Sequence, residues 1–190
     1  MAVNDVTLKI VALFDEACID QLESMGCIIK RVDKPSEWGG FLSAYIKAES
    51  DDLSLNLLIN MPAPLLAQTM PSGGQYNIAD PELQKDWLLE LANRFVGRLK
   101  NKLLRRGCIL KIGIPASLEN ESQSEGYLGA ISTNKIFSAN KILRCYEISG
   151  DVASDVMECR LYIDINNENL ELLDDSSEDD SYEEGSLENL

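Results

Sequence analysis

The chain has 190 residues, of which 17 are basic and 32 acidic, giving a formal net charge of −15, and 45% are hydrophobic. That length suits one domain with a tail and is enough to bury a substantial core, while such acidity, without aromatic residues interleaved among the basic ones, excludes a nucleic-acid-binding module. Histidine is absent, which removes the commonest general base and transition-metal ligand, and with them His-dependent triads and most zinc hydrolase schemes.

The N-terminus carries no basic segment followed by an apolar run, and nowhere are there about 18 consecutive apolar residues, so neither secretion nor membrane spanning is expected. A cytoplasmic protein is the expectation. Five cysteines, Cys18, Cys27, Cys108, Cys145 and Cys159, are scattered mostly within apolar runs and form no Cys-x-x-Cys pair. They read as reduced, mostly buried thiols.

In chain order, Val6 to Met25 has apolar positions at helical spacing, with Leu8, Val11, Ala12, Cys18, Ile19 and Leu22 as inward candidates and a stop near Gly26. Cys27 to Val32 is short and β-branched, as a strand requires. After the turn-rich Pro35 to Gly40, two strands are predicted at Phe41–Ala48 and Leu53–Asn60, joined by a turn of four residues. MPAPLLAQTM, with its early prolines, predicts one or two helical turns, and Pro71 to Asn77 a loop.

The next stretch, DPELQKDWLLELANRFVGRLKNKLLRRG, predicts one long helix. Asp80 suits the N-cap, Pro81 the first helical position and Gly107 the stop. At about 100° per residue, Leu88, Leu91, Ala92, Phe95, Leu99 and Leu103 gather on one side as the stripe that packs on a core. Asp86, Glu90, Asn93 and Gly97 fall within an arc of about 60° on another side and form one exposed ridge. A carboxylate, a small amide and a glycine are an unusual choice for a merely solvated face. Between Leu91 and Leu118 there is no acidic residue, yet Arg94, Arg98, Lys100, Lys102, Arg105 and Arg106 are present. These cations either complement the C-terminal end of the helix dipole or form a docking surface for an acidic partner.

Beyond the helix, Gly107 to Pro115 predicts a strand ending in proline and Ser117 to Gly126 a loop. Ile142–Ile148 and Val156–Ile165 predict a final antiparallel pair. The sum is an α+β fold, a mostly antiparallel sheet of about five or six strands with two long helices packed on one face. Residues 1–165 carry a charge of −5, because the last 25 residues hold ten acidic residues and no basic one. For residues 166–190, that composition predicts disorder. The functional alternatives are that the tail folds back on the basic end of the long helix or recruits a basic partner.

Asp86, Glu90 and Asn93 match the pattern Asp/Ser-x-x-x-Glu-x-x-Asn, and ELANRFVG, Glu90 to Gly97, resembles the Glu-Leu-(small)-Asn-x-x-x-Gly segment of the CheC/CheX/FliY family of chemotaxis phosphatases. Phe41 to Met70 is similar to that family's strand pair leading into a short helix, and GCILKIGIP to its strand ending in proline. In the family's two-site members an early helix carries a second Glu-x-x-Asn, but no asparagine stands three residues after Glu16 or Glu23. The resemblance is therefore to the single-site CheX-like type, over roughly residues 7 to 165.

The resemblance implies a phosphatase acting on the aspartyl phosphate of a response-regulator receiver domain, with Asn93 positioning water and Glu90 anchoring the partner. Asp86, Gly97 and Arg94 would lie in the partner-binding surface. Arg94 stands where a small or apolar residue is expected. No cofactor or metal of its own is implied, Mg2+ being expected on the partner receiver, and a homodimer formed through sheet edges is implied as well. The alternative is a non-catalytic adaptor of the same fold that binds a receiver or a motor component.

Overall fold

The structure is a computed structural model that describes residues 5–34, 41–71, 80–118, 140–149 and 154–174. The first helix, α1 (Asp5–Glu23), leads to β1 (Ile28–Val32), then to the hairpin of β2 (Phe41–Glu49) and β3 (Leu53–Pro62) and the short α2 (Ala63–Thr69). The long helix α3 (Pro81–Leu104) follows, with β4 (Lys111–Ile112), β5 (Ala116–Leu118) and a closing hairpin of β6 (Asn140–Ser149) and β7 (Ser154–Ile165). Among the described residues the strands form one seven-stranded sheet in the order β1-β6-β7-β3-β2-β4, with β5 also on β2 and every pairing antiparallel.

Register explains why one face is apolar. Leu57 of β3 is paired with Ile46 on one side and Leu161 on the other, and two residues away Leu55 is paired with Ala48 and Ile163. Side chains alternate along a strand, so this set shares one face. That face and the stripes of α1 and α3 form a single buried cluster. The opposite face carries Tyr45 donating to Asn56 at 2.5 Å, Ser43 donating to Asn60 at 2.8 Å and the Lys47–Glu49 ion pair.

Both long helices end in the same way. Gly26 and Gly107 adopt φ of 80° and 83°, and the amides of Cys27 and Cys108 bond back to the carbonyls of Leu22 and Leu103 at 3.2 and 3.0 Å. This is the Schellman closure, in which glycine avoids the penalty of a left-handed backbone.

Two expectations need correction. In α1 the buried side is Thr7, Ile10, Val11, Leu13, Phe14, Ala17, Cys18, Gln21 and Leu22, whereas Leu8 is 54% exposed and Ala12 also faces solvent. Apolar residues lie on nearly every side of this helix, so periodicity offered more than one stripe, and burial of Phe14 chose between them. The strand expected over Gly107–Pro115 is reduced to β4, and β5 takes up part of the expected loop. Pro115 has no N–H to donate, so the edge against β2 is paired on either side of an interruption. Beyond β7 the described chain runs on to Asp174 and keeps contact with the body as far as Leu173. Asn166 and Asn167 donate their amides to Asp52 O, Leu172 joins the core, and Leu173 exchanges hydrogen bonds with Arg106 at the end of α3. The rest of the acidic segment expected to be disordered lies outside the described residues.

Candidate functional site

The ridge on α3 is built by the start of the helix and by its buried side. The Asp80 carboxylate accepts from the Glu82 amide at 3.0 Å, and Pro81 occupies the first turn, so the helix begins where its cap residues dictate. Trp87, Leu88, Leu91, Ala92, Phe95, Val96, Leu99 and Leu103 are buried, which includes every residue of the expected stripe. With that side fixed, the helical angle turns the ridge outward. Asp86 and Asn93 are exposed, and Glu90 and Gly97 are half-buried. A Cβ added at Gly97 would meet nothing within 4 Å among the described residues, so their packing does not require this glycine.

Glu90 is engaged by its own helix. Arg94 Nε donates to Glu90 Oε1 at 2.7 Å, with the two side chains 42% and 44% exposed. The Arg94 guanidinium also sits over the Trp87 ring, 5.0 Å from its centroid. Trp87 is held in turn, its indole N–H donating to Thr69 Oγ1 at 2.8 Å. The i, i+4 spacing of Glu90 and Arg94 was visible in the sequence and marks such a pair.

Three other cations on α3 or just beyond its end are committed to holding the fold. Arg98 donates to Gln21 at 2.7 Å, Lys102 reaches Asp20 and Glu16 at 3.0 and 3.2 Å, and Arg106 donates to Leu173 O. Burial alone would lower the Lys102 pKa, but the two carboxylates more than offset it and hold the ammonium above its ordinary value. Lys100 and Arg105 have no partner among the described residues.

A second charged cluster escaped sequence reasoning. Asp15 on α1, 14% exposed, accepts from Tyr146 OH at 2.7 Å, from Arg144 Nε at 3.1 Å and from Arg31 Nη1 at 3.3 Å. It clamps α1 to β6 and β1. Burial pushes the Tyr146 phenol far above its usual range, so it acts as a fixed donor. The five cysteines are free and buried. Burial raises Cys18 and pushes Cys145 up to about 11, which leaves them as thiols near neutral pH and poor nucleophiles. Among the described residues no group of three acidic or cysteine side chains is placed to hold a metal ion, and no helix is long and apolar enough to cross a membrane.

The described site is thus an exposed acid-and-amide ridge on the long helix of an α+β sheet protein. No family model and no curated protein matches the sequence. Among solved structures, the chain is similar to the chemotaxis protein CheX of Vibrio vulnificus, with a TM-score of 0.59 and 15% identity over 82% of this chain and 96% of that one. It is similar to CheX of Borrelia burgdorferi in its complex with CheY, BeF3 and Mg2+, with a TM-score of 0.53 and 18% identity over 80% and 96%. A third likeness is to Thermotoga maritima FliY, with a TM-score of 0.53 and 14% identity over 84% and 91%. The chain has the CheC/CheX/FliY fold, the one its helix motif led us to expect.

Proposed function

We propose that this chain is a cytoplasmic phosphatase for the aspartyl phosphate of a CheY-like receiver domain, in chemotaxis or a related two-component pathway. The observation that carries this reading is the placement of Asn93 and Glu90, one helical turn apart and open to solvent on the same ridge, in a fold shared with a CheX solved in complex with CheY.

An aspartyl phosphate is an acyl phosphate, already activated for attack. Water attacks phosphorus, the bond from phosphorus to the aspartate oxygen breaks, and inorganic phosphate and a free carboxylate result. The receiver's own lysine and Mg2+ handle the charge. The missing part is an oriented water, and Asn93 supplies a neutral carboxamide that donates or accepts without adding negative charge beside the phosphoryl group. A glutamine serves the same purpose in GTPases. A hundredfold acceleration by positioning corresponds to about 2.7 kcal/mol of barrier. Glu90 anchors the receiver's lysine, Asp86 extends the ridge, Gly97 permits close approach, and Arg94 borders the contact. A homodimer through sheet edges is part of the same proposal, with sedimentation velocity as its measure.

The second reading is an adaptor that binds a receiver or motor component without hydrolysis, since the Glu90–Arg94 pair, with one Glu90 oxygen still open, equips the ridge for docking whether or not Asn93 turns over the phosphate. Loss of acyl phosphate from receivers, followed with wild type, Asn93→Ala and Glu90→Ala, decides between the two. The phosphatase reading expects Asn93→Ala to lose about a hundredfold in turnover while keeping binding, and Glu90→Ala to weaken binding as well. Binding without any acceleration by the wild type would make the chain an adaptor.

A further inference from the structure

Helical side chains lean toward the N-terminus, so a long residue at position 94 lies back over positions 90 and 87. There Arg94 is held twice, by the 2.7 Å bond from Nε to Glu90 Oε1 and by the Trp87 ring beneath the guanidinium. Trp87 is 9% exposed and fixed by Thr69, whose own hydroxyl donates to Leu66 O at 2.8 Å. The second oxygen of Glu90 and both terminal amino groups of Arg94 have no partner among the described residues. An exposed i, i+4 pair contributes little to stability, so what the pair offers is two fixed, unsatisfied ends of opposite charge. On the helix, Glu90 lies between Asn93, about 60° to one side, and Arg94, about 40° to the other.

We infer that Arg94 is a specificity-determining residue of this ridge: with Glu90 it presents a preformed charge pair that selects a receiver carrying a surface carboxylate beside its lysine. The lysine takes the free oxygen of Glu90, and the carboxylate takes the terminal amino groups of Arg94, whose planar fork matches it in two-point fashion. Because the guanidinium is already held along one edge and against one ring, docking orders it at little further entropic cost. A receiver with a second cation opposite Arg94 is repelled, which is how charged rims discriminate among partners of one fold. This inference rests on the receiver-binding reading and names its partner-selecting contact.

The test measures affinity for the receivers of the source organism, each as its beryllofluoride–magnesium complex, using wild type, Arg94→Gln, Arg94→Lys and Asn93→Ala. Arg94→Gln is expected to weaken binding about tenfold, as loss of one partner of a docked charge pair does, and to raise KM with kcat unchanged. Arg94→Lys, which keeps the charge but not the fork, falls between. Changing each exposed receiver carboxylate to its amide should find one whose loss removes the effect of Arg94→Gln. Equal or tighter binding by Arg94→Gln, with turnover still lost in Asn93→Ala, overturns the inference and leaves the phosphatase reading intact. A wild type that binds none of the receivers overturns both. Turnover unaffected by Asn93→Ala, with the Arg94–carboxylate coupling present, supports the contact and removes the catalytic role of Asn93.

Discussion

Asp15 and Glu90 both bind arginine, and they do different work because they differ in burial. Asp15 sits between α1 and the sheet, 14% exposed, and gathers Tyr146, Arg144 and Arg31 from two strands. Glu90 stands on the open ridge of α3, 44% exposed, and pairs with one residue of its own helix. A carboxylate held by several donors out of water is hard to remove without leaving those donors unpaired. One in water, paired along a helix, contributes little to folding and keeps an oxygen available to a partner. Similar chemistry thus serves as a clamp in one place and as a docking point in the other.

That contrast can be broken by substitution. Asp15→Ala should cost about 3 kcal/mol of folding stability, since it strands a buried phenol and a largely buried Arg144; a urea midpoint unchanged from wild type would show that the cluster holds nothing. Asn93→Ala should lose about 2.7 kcal/mol of transition-state stabilisation, roughly a hundredfold in turnover, with no shift in Tm. If Tm fell with it, Asn93 would belong to the fold rather than to the site. Gly97→Ala should stabilise the helix by about 0.5–1 kcal/mol, because nothing within 4 Å among the described residues opposes a Cβ, while a docked partner would meet the added methyl. Calorimetry and receiver binding on that one variant separate the two effects, and weakened binding in a more stable protein marks the ridge as an interface. Arg94→Gln should change stability by no more than about 0.5 kcal/mol; a larger loss in thermal melts would make the pair a second clamp and remove the contrast.

How far the sequence could be read follows the range of the interactions involved. The cap of α3 at Asp80 and Pro81, its stop at Gly107 and its whole predicted stripe depend on neighbours a few residues away, and each lies where the pattern put it. The ridge of Asp86, Glu90, Asn93 and Gly97 follows from the same angle. The side of α1 that packs inward did not follow, because its apolar residues supply overlapping stripes and only contact with α3 and the sheet selects one.

By itself, then, the sequence determined where the helices begin and end, which side of α3 is buried and which four residues stand together on its exposed ridge. Helix geometry converts spacing into direction without help from distant residues. Only the tertiary structure decided that Asp15 joins residues 16, 129 and 131 positions away, that the edge of β2 is shared by two short strands, and that the chain beyond β7 returns to Arg106. Those contacts depend on the sheet order and on which elements it brings side by side, and spacing along the chain does not encode that.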